Sequence, residues 1–312
     1  TVIDSSGYLI HASTPQLNEG TNTMRKTKRP KRTQAEKYQM VTDTIVREME
    51  KGKIPWRKPW RSFGNPISMS SSKEYQGINK ILLGLTPYKD PRWITFQNAK
   101  SLGGILPKHS KATHICVYSI KPIKDAKDTE DTEKVRTSIY FDTKAVFNVE
   151  QWEGLDLPPL GTLERDVNEI PSANAVVNGY ADPPAISWNA NAAFYNPSRD
   201  AVSMPTKEAF ESDDLRMGTL FHELIHSTGH ESRLNRLTLM KNNRFGSERY
   251  SKEELIAELG SAFLISHTNI TPHFKDHAGY IQGWIKVLKN DPKAIVHAAG
   301  KAQKAVEYIL GS

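Results

Sequence analysis

SDDLRMGTLFHELIHSTG, residues 212–229, is the stretch whose reading decides the fold. Ser212, Asp213 and Asp214 each offer a side-chain oxygen to cap a helix, and Gly229 can stop it. Leu215, Leu220, Phe221, Leu224 and Ile225 supply a buried surface between those ends. HELIH, residues 222–226, sits inside that helix and carries the H-E-x-x-H pattern. Two histidines four apart lie about 40° from one another around a helix, so His222 and His226 can hold one metal ion from one face. Glu223 between them is then placed as a general base for a water at that metal.

A hydrolytic metal site of this kind needs a third protein ligand and an open position. His230 is nearest in sequence, yet on a continuous helix it falls about 12 Å along the axis from His222. A turn at Gly229 resembles the metzincin pattern, but that pattern ends in histidine where this chain has Ser232. EELIAELGSAFLI, residues 253–265, gives a second helix expected to start near Ser251. It resembles the later helix of thermolysin-like gluzincins, which implies Glu254 as the ligand and Glu258 as its acidic partner against a histidine. Glu258 and His230 are the alternative ligands, and Ser251 with Glu254 also fits a capping box, a purely local role. Zn2+ is the expected ion, with other divalent metals possible.

Outward from this pair of helices, ISWNANAAFYNPSRDAVSMP (186–205) reads as strand, turn and strand. The strand AVSMP is expected to pair with an extended peptide, and Tyr250 is a candidate donor to an oxyanion. Two further helices follow, one carrying AGYIQGWIKVL and one from about Pro292 to Leu310. Upstream, a helix is expected from about Thr33 to Gly52 with Tyr38, Val41, Ile45 and Met49 on one face. EYQGINKILLGL reads as a turn and short helix, PRWITFQNAKSLGG as a strand and helix, and 113–123 with 136–151 as strands. The whole is α+β. Residues 1–33 read as a disordered basic tail, 34–151 as one domain, 152–173 as a linker and 174–312 as a second domain.

Charge divides the chain the same way. Residues 1–150 hold 26 Lys/Arg against 15 Asp/Glu, whereas 151–312 hold 16 against 20. The basic half therefore points to a polyanion. Cations and aromatics interleave between residues 54 and 118, as single-strand binding requires, since bases stack while cations follow phosphates. Trp56, Trp60 and Tyr75 are the stacking candidates, with Arg57, Lys58, Arg61, Lys73 and Lys80 as phosphate contacts; Trp93 and Phe96 are expected in the core. The single cysteine, Cys116, excludes an intramolecular disulfide and reads as a buried thiol. No apolar run suits a bilayer or a signal peptide, so a cytoplasmic protein without membrane contact is expected.

IPWRKPW, YQGINKILL, WITFQNAKSLGG, FYNPSRDAVSMP, TLFHELIHSTGHESRLNR, EELIAELGSAFL and YIQGWIKVLKNDPKAI, in that order, resemble the ArdC-type antirestriction proteins. Similar modules occur in conjugative plasmid primases. The resemblance covers about residues 35–310. It implies an N-terminal single-stranded-DNA-binding domain, a C-terminal zincin-like metallopeptidase domain, and protection of incoming plasmid DNA from host restriction. Two versions follow: a zinc peptidase acting on a host restriction component, or a non-catalytic shield coating single-stranded DNA around a structural or vestigial metal site.

Overall fold

The computed structural model describes residues 32–57, 64–122, 137–159, 171–236, 248–274 and 278–312. The first helix, α1 (Gln34–Met49), starts at a capping box: the Glu36 amide donates to Thr33 Oγ1, and the Thr33 amide donates to the Glu36 carboxylate. Tyr38, Val41, Ile45 and Met49 form its buried face, as their spacing requires. Tyr38 stacks on Phe141 at 3.9 Å between ring centroids.

Strands β1 (Ile67–Ser68), β2 (Arg92–Ile94), β3 (Thr113–Pro122) and β4 (Thr137–Asn148) make one sheet in the order β1-β2-β4-β3. The β3–β4 pair is antiparallel with Tyr118 opposite Phe141, and β1 runs parallel to β2. Helices α2 (Ile78–Gly84) and α3 (Phe96–Ser101) fall where the Gly-punctuated segments placed them. Cys116 is buried, and that burial pushes its thiol up to about 12, so it is an inert core group.

After α4 (Ala173–Asn178), strands β5 (Ala185–Ser187), β6 (Phe194–Asn196) and β7 (Ala201–Ser203) form a second sheet ordered β5-β7-β6. This corrects the expected role of AVSMP. β7 is the central strand, paired on both sides, so it offers no free edge to a peptide.

Helix α5 (Asp213–Ser227) is capped by Ser212, whose Oγ accepts from the Leu215 amide at 3.1 Å. Helix α6 (Glu248–Ser266) begins a turn earlier than Ser251, so Ser251 lies inside it and the capping-box role for Ser251 and Glu254 disappears. Leu255, Ile256, Ala257, Leu259, Phe263 and Leu264 are all buried around its circumference. α6 packs between α5 and α8 (Ala294–Leu310), while α7 (Ala278–Asn290) covers α1.

Residues 33–312 are one compact unit, and α1 and α2 bury their apolar faces in the same core as α5, α6 and α8. Polar contacts cross between the halves too. Thr42 Oγ1 donates to the Pro292 carbonyl at 2.7 Å, and Gln303 Oε1 accepts from the Gly77 amide at 3.2 Å. Among the described residues, no helix is long and apolar enough to cross a membrane.

Candidate metal centre and nucleic-acid surface

His222 and His226 project from α5 and Glu254 from α6. Glu254 Oε2 is 3.4 Å from His222 Nε2, and Oε1 is 3.4 Å from His226 Nε2; one ligand atom from each of the three lies within 4.8 Å of the others. The imidazoles meet edge to face, 4.9 Å between centroids. Bonds of about 2.1 Å to one tetrahedral ion would set its ligands roughly 3.4 Å apart, so these side chains fit a divalent metal.

Close helix packing creates this arrangement. Gly260 of α6 has no side chain to hold it off Ile225 of α5, and Ser261 Oγ donates to the Gly218 carbonyl at 3.0 Å. Glu223 lies between the histidines, 7 % exposed.

Electrostatics make the centre a cation trap. Burial disfavours a charged His226, but the Glu253 and Glu254 carboxylates outweigh it and push the imidazole up to about 10. Burial would likewise raise Glu254, yet His222 and His226 hold it well below the usual carboxylate range. Buried Glu253 is also held low, by His226 and Arg236. These carboxylates thus favour positive charge at His226.

The two alternative ligands go elsewhere. His230 Nδ1 is 2.9 Å from Ser232 Oγ in the turn after α5, outside the triad. Glu258 receives Arg57 Nη2 at 3.1 and 3.3 Å, so its carboxylate is committed to the other half of the chain. The acidic group nearest His226 Nδ1 is instead Glu253, at 3.6 Å. Its place beside Glu254 was the only signal in the sequence. The side chain of Tyr250 lies outside the described residues.

The basic half divides the nucleic-acid candidates. Trp56 is 1 % exposed and belongs to the main core, which corrects its assignment as a stacking residue: neither ring face is open to a base. Lys80 is corrected as well. It is 3 % exposed, and its Nζ donates to Ser266 Oγ at 2.6 Å in the last turn of α6, a favourable place for a helix-terminal cation. Burial lowers it to about 7.

Arg57 is occupied by Glu258, with its guanidinium 5.0 Å from the Phe274 ring centre. Tyr75 is half-buried against Leu83 and Trp93, whereas Lys73 is exposed. Lys58, Trp60 and Arg61 lie outside the described residues. Trp93 is buried as expected, but Phe96 is 47 % exposed, with its ring tilted against Phe147 and Trp152. Tyr118 (55 %) and Tyr140 (39 %) on the β3–β4 pair are the other open aromatic rings of this half among the described residues.

Comparison with known proteins agrees with this architecture. Residues 35–147 match the family model for the N-terminal domain of anti-restriction factor ArdC, and residues 177–301 match that for a zincin-like metallopeptidase. A DNA primase TraC of Escherichia coli is 34 % identical over 293 residues, covering 88 % of this chain but 27 % of the primase. A second E. coli TraC is 33 % identical, with 20 % of its length covered, so this chain spans less than a third of these relatives. The uncharacterized protein y4eC of Sinorhizobium fredii is 29 % identical over 91 % of this chain and 94 % of its own length.

Among solved structures, the antirestriction ArdC protein from the R388 plasmid is 33 % identical. Its metal-free form has a TM-score of 0.69, covering 87 % of this chain and 96 % of that one. Its Mn(II)-bound form has a TM-score of 0.68, covering 88 % and 97 %. With likeness of this extent and a His–His–Glu triad in place, the chain belongs to the ArdC family of antirestriction proteins, joining an ArdC N-terminal domain to a zincin-like metallopeptidase fold.

Proposed function

We propose that this chain protects the DNA of a mobile element from host restriction by covering it in single-stranded form, and that its metal centre is structural or vestigial and runs no reaction. The supporting observation is the likeness to one antirestriction protein in both metal-free and Mn(II)-bound forms, at TM-scores of 0.69 and 0.68. A fold shared by both states does not depend on turnover at the triad. Segments 34–151 and 174–312 act as a DNA-contacting module and a metal-bearing module that share one core. Exposed Lys73, Phe96, Tyr118 and Tyr140 supply the open cation and rings that single-strand binding uses.

His222, His226 and Glu254 would hold Zn2+ or Mn2+. When bound, the ion would supply positive charge joining α5 to α6, together with Lewis acidity. A second reading, hydrolysis of a protein among the host restriction components, is favoured by one residue. Glu223 lies between the two histidines in a largely buried position where a carboxylate can take up and return a proton.

The deciding experiment pairs single-strand DNA binding with a restriction-protection assay on Glu223→Gln and His222→Ala. Retained DNA binding and retained protection support the shield. Loss of protection with DNA binding intact would establish the hydrolytic reading.

A further inference from the structure

Glu253 and Glu254 are consecutive residues of α6, and adjacent helical side chains point about 100° apart. They thereby reach different sides of one imidazole. Glu254 Oε1 lies 3.4 Å from His226 Nε2, and Glu253 Oε1 lies 3.6 Å from Nδ1 of the same ring.

Glu253 is 5 % exposed and is gripped from behind. Arg236 donates to both of its oxygens, Nη2 to Oε1 at 2.9 Å and Nε to Oε2 at 3.3 Å. The same guanidinium donates to Thr228 Oγ1 at 2.7 Å and to the Ile225 carbonyl at 2.8 Å, so it is anchored on the C-terminal turn of α5 beside His226. A buried ion pair gains little over apolar side chains of the same volume. What this one provides is position.

We infer that Glu253 and Arg236 are a positioning pair that makes His226 a metal ligand; the inference rests on the metal reading of the triad. The Glu253 carboxylate, 3.6 Å from Nδ1, favours the proton on that nitrogen and so the tautomer whose Nε2 lone pair faces Glu254 and the ion. Arg236 holds both Glu253 oxygens, so this carboxylate stays behind the ring and does not compete with Glu254 as a ligand. The role that a gluzincin pattern gives to the residue four after the ligand is here taken by the residue one before it.

The test is Zn2+ affinity of the full chain, by competition with a chromophoric chelator, together with the visible spectrum of the Co2+-loaded protein. Glu253→Gln removes the charge. Glu253→Gln/Arg236→Met removes both charges, so no orphan ion stays buried. Lys252→Gln, on the same helix as Glu253, breaks an ion pair to Asp291 just after α7 and is the control.

We expect Zn2+ binding to weaken about 10- to 100-fold in both Glu253 variants, with a shifted Co2+ band and no change in the control. Unchanged affinity and an unchanged Co2+ band in either folded Glu253 variant would overturn the inference. No Zn2+ binding by the unaltered chain would remove the metal reading itself, and this inference with it.

Discussion

Gly260 of α6 lies directly against Ile225 of α5: a Cβ placed on it would fall 2.7–2.8 Å from three atoms of the isoleucine side chain. Ile225 immediately precedes His226, so this contact sets how near Glu254 can come to the histidines. Gly260→Ala should force the helices apart or strain Ile225. The expected cost is about 1–3 kcal/mol of stability, with weaker metal binding. The double variant Gly260→Ala/Ile225→Val should recover part of both. Chemical denaturation and metal titration on the two proteins measure it.

Metal uptake should release a proton. With His226 raised to about 10 by its two carboxylates, the metal-free ring is protonated at neutral pH, and only the neutral ring can bind the ion. Affinity should therefore rise with pH up to that value and fall about tenfold per unit as pH is lowered. Titration calorimetry at pH 7 in buffers of different ionisation enthalpy counts the proton.

Lys80 gives folding stability a slope of the same sign. Its folded pKa, about 7, lies below the ordinary 10.5, so between those values the unfolded chain binds a proton that the folded chain does not. Stability from this residue rises with pH across that window, by at most about 1.4 kcal/mol per unit. Lys80→Met should lose this rise and be the more stable protein below pH 7. Urea midpoints of the two proteins at pH 6, 8 and 10 test the sign.

Single-stranded DNA affinity should respond to open rings and not to the buried indole. Tyr118→Ala should weaken oligonucleotide binding by about 1–3 kcal/mol, with only a modest fall in melting temperature from the lost contact with Phe141. Trp56→Ala should cost about 3–5 kcal/mol in folding, while the fraction still folded binds DNA as the unaltered chain does. Fluorescence anisotropy alongside thermal melting separates the two.

Local patterns made much of this readable from the chain itself. The helix start near Thr33, the Ser212 cap, the apolar spacing of α1 and the i,i+4 histidines each lie within one turn or one helix, and all appear where the residues place them. Glu254 was identified by resemblance to a later helix that supplies a ligand, and it stands in the triad. What escaped was tertiary.

Glu253 and Arg236 are 17 positions apart and meet only because the chain returns after α5. Alternating tryptophan and arginine in IPWRKPW looks the same whether the segment is open to DNA or tucked under a helix, and only packing put Trp56 inside. Lys80 counted as a cation until the end of α6 was found above it.

The apolar faces of α1 and α2 close on the helices that follow the metal centre, and this bears on how such a gene can be inherited. Taken alone, either half would leave its oily side to water and invite aggregation. The primase relatives match this chain over 293 residues spanning both halves, within proteins several times longer. Recombination would thus have one workable unit to move, the whole 33–312 body, and a natural fusion that keeps one half should carry a substitute surface where the other was.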